Sequence, residues 1–480
     1  MPVQLDHAVI IGGSVGGMTA AKVLSGYSKR VTVVERDELI NDVKSRRPGA
    51  PQSPQTHGLL MAGTNALDKL YGGRFSEKMR AEGCADFDAG EQFLALELDG
   101  WARRPRTGMR QLSATRVFIE RVIRELTLGD ASNVELRRAQ VRKLVASEDG
   151  SRVVGVELRD EATGETETIT DADLVVDASG RGTKSPKWLQ SLGFEPPVAS
   201  FVRPFLGYAT VHAKLSEDLW PGEIRQIDIP PVLGLNTRGG NIVQEENGIV
   251  GFTAHGIAGD YPPDDLEGFI EFLRGAMSPL LYDMFKLAEP ITDPIPTQTS
   301  ANRMYRWHEL ERRAAGFVAI GDTVVAMDPF YGQGMSNAIL HASLIGELLA
   351  DSSTLDAAVD RFPIDAFSKV SKAPWEIAIT GDLEWPSTEV ENMPDLEGGE
   401  DMSSYFRAVR RLAVDDDEVA ETLIKAVHLF RPDLLDSPEL HAKVEAAGEL
   451  TYGMPDGIPL PPDVEAAMIA NGATAAPVSD

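Results

Sequence analysis

His7–Arg36 reads HAVIIGGSVGGMTAAKVLSGYSKRVTVVER. Ala8-Val9-Ile10-Ile11 is a short apolar run, the pattern of a parallel strand buried on both faces. The cluster Gly12-Gly13-Ser14-Val15-Gly16-Gly17 follows, then a helical pattern with Met18, Ala21, Val23 and Leu24. Val31–Val34 predicts a second strand, and it ends in Glu35. Strand, glycine turn, helix, strand and acid, in that order, predict a dinucleotide-binding βαβ unit.

Each of these residues has a physical role in such a unit. Gly12 lets the chain turn sharply out of the strand, and Gly17 lets the helix lie close to the sheet. Gly13 and Gly16 complete the turn. The helix start between them offers free N–H groups and the positive end of its dipole to a pyrophosphate. Glu35 stands about 20 residues on, where a carboxylate accepts both ribose hydroxyls, with Arg36 beside it. Ser14 takes the place of the motif's middle glycine and is small enough to admit a phosphate.

Composition bounds the rest. A chain of 480 residues is too long for one simple core and suits two or three packed domains. Hydrophobic content of 42% and charged content of 25% are those of a soluble globular protein. No apolar run approaches bilayer-spanning length and Met1–Asp6 has no basic n-region, so a cytoplasmic protein without membrane insertion is expected. Cys84 is the single cysteine, which excludes an internal disulfide and a Cys-x-x-Cys pair. The eight histidines show no metal-ligand spacing, so no metal is expected. A formal charge of −28 opposes binding to nucleic acid or anionic lipid.

Beyond Glu35, Asp37–His57 is a polar loop that Pro48, Pro51 and Pro54 keep from becoming helix. Arg46 and Arg47 read either as phosphate contacts or as solvated arginines. His57 anchors the loop ahead of a helix over Gly58–Tyr71. Residues 93–112 predict a hairpin, and a helix runs from Ser113 through SATRVFIERVIRELTL. Arg116 falls in its first turn, where a cation opposes the dipole and wants an anionic partner, so it is a candidate pyrophosphate or ribose contact. Three antiparallel strands then lead into Leu174-Val175-Val176, which ends in DASGRGTKSP, residues 177–186. A carboxylate and small residues at the C-terminal end of a sheet strand mark the ligand side of an α/β fold.

Residues 195–300 carry aromatic strands, many prolines and one clear helix, Asp265–Ala276; they read as a substrate-covering domain. Phe317–Ile320 predicts another buried strand closed by Gly321-Asp322, and Pro329–Gly334 a rigid loop. Ser336 starts a helix with Ile339, Ala342, Ile345, Leu348 and Leu349 on its apolar face. The tail from Leu355 is helical and acidic, with a loop over Asn392–Glu400, and is expected to pack rather than do chemistry.

Three stretches together resemble one family. The N-terminal glycine motif, Asp177-Ala178-Ser179-Gly180-Arg181, and Gly321-Asp322 followed by Pro329 resemble the FAD-dependent monooxygenases of the p-hydroxybenzoate hydroxylase fold. The likeness is greatest to bacterial epoxidases and hydroxylases acting on polyketides or terpenoids, through GAPQSPQTHGLL and DPFYGQGMS. The resemblance covers residues 1–350 well and the tail loosely. It implies an α/β fold with a Rossmann-like FAD-binding domain over 1–190 and 301–352, discontinuous, with about 85–112 joining a mixed or antiparallel substrate domain at 191–300. Residues 353–480 form a C-terminal helical region.

It also implies roles. Gly12, Ser14, Gly17, Glu35 and Arg116 would hold the ADP half of FAD, with Asp177 and Gly180 beside the pyrophosphate. Gly321 and Asp322 would lie at the ribityl chain, and Pro329, Gly332, Gly334 and Met335 at the isoalloxazine ring, to which His57 is also a candidate neighbour. Arg181-Gly182 after Gly180 departs from the usual offsets for NAD(P)H contacts, so NAD(P)H either binds transiently or a flavin reductase supplies the electrons. The implied reaction inserts one atom of O2, by epoxidation or hydroxylation through a C4a-hydroperoxyflavin, into a small hydrophobic polyketide, terpenoid or aromatic substrate. Apart from the resemblance, glycines without Cβ atoms let backbone amides approach a flat ring, and the following helix start favours negative charge there.

The flavin carries the chemistry, so no nucleophile–base set is needed; none is found, and His255 and His308 read as packed residues. The alternatives on the same fold are an FAD-dependent reductase of isoprenoid double bonds and a non-catalytic flavin-binding protein. A halogenase is disfavoured because no Trp-x-Trp-x-Ile-Pro stretch occurs and Trp307 is isolated. Monomer and homodimer are both compatible with the sequence.

Overall fold

A computed structural model describes residues 3–39, 41–42, 47–298, 301–394, 399–448 and 458–472. The expected βαβ unit is β1 (Leu5–Ile11), α1 (Val15–Ser25) and β2 (Ser28–Glu35). β1 is the middle one of five parallel strands in a seven-stranded sheet. The order is Phe317–Ala319, Leu174–Asp177, β1, β2, Val134–Ala146, Val153–Asp160 and Thr166–Ile169. The first five run parallel and the last two antiparallel.

Period-two alternation splits the apolar run of β1 between two cores. Ala8 and Ile10 pack with α1, α2 (Met61–Tyr71) and the helices Arg116–Asp130 and Gly334–Asp351. Val9 and Ile11 pack on the other face with Val175, Phe317 and Trp375. Full burial of Val9, Ile10 and Ile11 contributes roughly 1.5–3 kcal/mol each, which ties this short strand into both cores.

A second, mostly antiparallel sheet has the order Glu289–Pro290, Gly207–Lys214, Ile249–Gly256, Arg238–Gln244, Gln226–Ile229, Phe93–Glu97 and Gly100–Trp101. Ile295–Thr297 pairs with Gly207–Lys214 on its side. The pairing of Gln226–Ile229 with Phe93–Glu97 is parallel, while Ala85–Asp88 and Arg110–Ser113 pair with each other in a separate two-stranded sheet. Leu266–Arg274 covers its back as expected, capped by the Asp265 carboxylate on the Gly268 N–H at 2.8 Å. A second helix, Leu280–Leu287, does the same and was not expected; Ser278-Pro279 hides its start.

Several boundaries differ from the sequence reading. The helix expected from Gly58 starts at Met61, and the one expected from Ser113 starts at Arg116, after the strand Arg110–Ser113. The helix expected from Ser336 starts at Gly334, so Gly334 and Met335 belong to its first turn rather than to the loop. In the tail, Glu389–Glu391 pairs with Ala199–Arg203, Gly399–Leu412 is already helix, and 395–398 of the expected loop lie outside the described residues. Among the described residues no helix is long and apolar enough to cross a membrane.

Candidate cofactor and substrate cavity

One cavity of about 990 Å³ runs from Gly12, Ser14 and Glu35 to Pro329–Met335. Both glycine-rich helix starts therefore open onto the same space, though more than 300 residues separate them.

At the N-terminal end the geometry is dense. Gly12 has φ +102°, and a Cβ there would lie 2.6 Å from the Ala178 carbonyl. A Cβ on Gly17 would lie 1.8 Å from the Gly12 carbonyl, so α1 sits as close to the strand as glycine allows. Gly13 and Gly17 are behind the lining, whereas Gly12, Ser14 and Gly16 form it. The Glu35 carboxylate accepts the Gly13 N–H at 2.7 Å and the Asp37 N–H at 2.8 Å, which holds it at the cavity edge beside Arg36.

Glu120 organises this end and is missing from the expected residues. Ser14 Oγ donates to Glu120 Oε1 at 2.5 Å, and Arg116 Nε donates to the same oxygen at 2.8 Å. Arg47 NH1 pairs with the other oxygen. Burial pushes the Glu120 carboxyl up, but the Arg116 and Arg47 guanidiniums overcome it and hold it at about 2. The anionic partner that Arg116 demanded is thus in its own helix, four residues on, an ion-pair spacing visible in the sequence but not weighed. Arg116 also donates to Ser14 Oγ at 3.0 Å and still faces the cavity, as do Arg47 and Arg36. Arg46 lies outside the described residues.

His57 lines the cavity and anchors its loop at once. Its Nδ1 bonds the Gln55 carbonyl at 2.8 Å, and its Nε2 accepts from Arg116 NH1 at 3.3 Å. Burial, then Arg116, lowers its pKa to about 3, so the ring is neutral. Asp177 closes the strand Leu174–Asp177. It is fully buried, accepts from the Ser179 N–H at 2.8 Å, Thr183 Oγ1 at 2.6 Å and Ser185 Oγ, and has no place on the cavity wall. It shapes the loop whose residues Ala178–Gly182 do line the cavity, Gly180 among them with its N–H on Thr323 Oγ1 at 3.0 Å.

At the far end Gly321 donates its N–H to His341 Nδ1 at 2.9 Å, and burial lowers the His341 pKa to about 4. Gly321 and Asp322 line the wall. The Gly332 N–H returns to the Pro329 carbonyl at 3.0 Å, a turn that Gly332 closes at φ +65°. Gln333 caps the helix Gly334–Asp351, and both polar atoms of its side chain are buried without a partner. The nearest atom to a Cβ on Gly334 would be Asp322 Oδ1 at 3.6 Å, so the helix start is open to a ligand.

Two acidic groups here escaped the sequence reading. Asp328 lines the cavity and accepts the Phe330 N–H at 2.9 Å, while its own N–H bonds Asn302 Oδ1 at 2.7 Å. Asn302 also donates to Asp382, and burial raises both carboxyls, Asp382 further because Asp328 faces it. On the second sheet, Gln226, Asp228 and Asn241 face the cavity. Burial, then Glu97, pushes Asp228 up to about 7 against the pull of Arg410. From the tail, Phe406, Arg410 and Ile424 line the wall, and Arg410 Nε donates to Glu97 Oε2 at 2.6 Å. Of the aromatics noted between 195 and 300, Tyr208 reaches the cavity, while Trp220 and Phe252 are core. His255 packs edge-on to Phe330 with ring centres 5.2 Å apart, and His308 stacks on Phe367 away from the cavity.

No protein-family model matches the chain. It is 30% identical over 405 residues to Protein Rv3254 of Mycobacterium tuberculosis, covering 81% of this chain and 82% of that one. Its fold is similar to that of a flavoprotein/dehydrogenase from Cytophaga hutchinsonii, with TM-score 0.62 and 15% identity over 93% of this chain and all of that one. A flavin-dependent brominase gives TM-score 0.60 at 16% identity, covering 90% and 98%. The oxygenase of 2-methyl-3-hydroxypyridine-5-carboxylic acid gives TM-score 0.56 at 16%, covering 80% and 92%. The chain belongs to the family of Protein Rv3254 of Mycobacterium tuberculosis and has the p-hydroxybenzoate hydroxylase fold of FAD-dependent monooxygenases.

Proposed function

We propose that the protein is an FAD-dependent monooxygenase that adds one oxygen atom of O2 to a small, largely apolar substrate by epoxidation or hydroxylation. The observation that supports it is the single cavity joining the helix starts at Ser14 and Gly334. The residues present fit FAD. Glu35 offers acceptor oxygens at one end, and the first turns of two helices offer free N–H groups. The open face of Gly334 and the unpartnered amide of Gln333 wait at the other.

In this reading Gly12, Ser14, Glu35, Arg47 and Arg116 hold the ADP portion, Gly180 and Asp322 the middle, and Pro329–Met335 with His57 the ring. Bound there, FAD supplies electron storage and oxygen activation. The chain's own work is to orient the substrate against the Pro329–Gly332 turn and to exclude water. Residues 1–190 and 301–352 act as the cofactor domain, 191–300 cover the substrate, and the tail closes the cavity. Electrons come from NAD(P)H, directly or through a flavin reductase. The fold alone is shared by brominases and oxygenases; the missing Trp-x-Trp-x-Ile-Pro stretch favours oxygenation over halogenation.

The test is the visible spectrum of the purified protein. A two-band flavin absorption is expected, with about tenfold weaker FAD affinity in Glu35→Ala, equivalent to about 1.4 kcal/mol of lost binding. Steady NAD(P)H oxidation that consumes O2 with substrate present completes the case. A folded preparation that takes up no FAD ends it.

A further inference from the structure

The substrate end of the cavity holds an acid with nothing to pair it. In the strand Gln226–Ile229, Ile227 and Ile229 turn into the core, and Gln226 and Asp228 turn to the cavity. The Asp228 carboxylate makes no hydrogen bond or ion pair with another described residue. The charged groups around it are Glu97, from the neighbouring strand, and Arg410, from the helix Gly399–Leu412. Arg410 is committed to Glu97 at 2.6 Å, so Asp228 has no cation of its own.

A second group points the same way. Asn241 stands directly across the ladder from Asp228 and also faces the cavity. Its Oδ1 is buried without a hydrogen-bond partner. Two acceptors therefore meet on one patch, where a buried donor is worth most and a second acceptor is least welcome. An anionic substrate would meet both Asp228 and Glu97. A hydrocarbon would leave both acceptors dry and unpaired.

We propose that the substrate carries a basic amine, which docks between Asp228 and Asn241 while its apolar body extends toward the Pro329–Gly332 turn. The proposal rests on the monooxygenase reading for calling the ligand a substrate; the amine site itself stands on the cavity wall. It narrows the substrate class from hydrophobic molecules at large to amphiphilic cations.

The experiment uses 2-phenylethylamine, 2-phenylethanol and phenylacetate as probes, titrated calorimetrically into the full chain with and without FAD. The amine binds at least about tenfold tighter than the alcohol, and phenylacetate does not bind, as one desolvated charge pair implies. Asp228→Asn cuts the amine preference to under about threefold, and Asn241→Asp, which adds a carboxylate, raises it by about tenfold or more. Equal binding of amine and alcohol, no binding of the amine, or an unchanged preference in both variants overturns the proposal. Failure to take up FAD sinks the monooxygenase reading instead, because the probe ranking on the FAD-free chain decides the amine site independently.

Discussion

Around Ser14, Glu120 gathers Arg47, Arg116 and the Ser14 hydroxyl, and Glu35 is held by two backbone N–H groups. Around Asp228 the picture is reversed: its carboxylate and the Asn241 carbonyl have no partners, and Arg410 is spent on Glu97. Both regions border one cavity. The first has its two carboxylates paired before any ligand arrives, so binding there costs little reorganisation. The second leaves polar groups for the ligand to complete, which is how a site discriminates between similar molecules.

The sharpest way to break the contrast is Gly17→Ala. The added methyl would lie 1.8 Å from the Gly12 carbonyl, which forces α1 off the strand. The expected loss exceeds about 3 kcal/mol, with FAD uptake abolished; urea unfolding and absorption check both.

Glu120→Gln comes next, because it leaves two buried guanidiniums without their carboxylate. A cost of about 3 kcal/mol is expected at pH 7. The folded carboxyl sits at about 2, below the free value of 4.5. Its contribution is therefore complete above pH 4.5 and is lost as pH falls toward 2. The stability gap between wild type and variant should close over that interval in pH-dependent unfolding.

Asp228→Asn should behave oppositely. Its folded pKa of about 7 lies above the usual carboxylate value, through burial and Glu97, opposed by Arg410. The favourable protonated state is fully available below about pH 4, and stability is lost as pH rises through 7. The variant should be about 1–2 kcal/mol more stable than wild type at pH 8 and equal to it at pH 3, since cavity water moderates the penalty. A destabilised variant at pH 8 would show that the acid is paired. The smallest effect belongs to Ser14→Gly, which removes one hydroxyl from the Glu120 cluster for about 1 kcal/mol, with FAD still bound; thermal unfolding reads it.

The βαβ unit, the glycine turns and the buried helices Arg116–Asp130 and Gly334–Asp351 were legible because local periodicity and short-range steric rules set them. Gly12, Ser14, Glu35, Arg116 and the 329–335 segment, all singled out in the sequence from local patterns, line one cavity. The position of Asp177 at a strand end is visible in the sequence, while its three hydrogen-bond donors, folded back from residues 179–185, are not. The Asp228 end of the cavity comes from Phe93–Glu97, Gln226–Ile229, Arg238–Gln244 and Gly399–Leu412, four segments with no common motif. Only tertiary packing brings Glu97, Asp228, Asn241 and Arg410 onto one wall, and only there do burial and Glu97 push the pKa of an ordinary aspartate up to about 7.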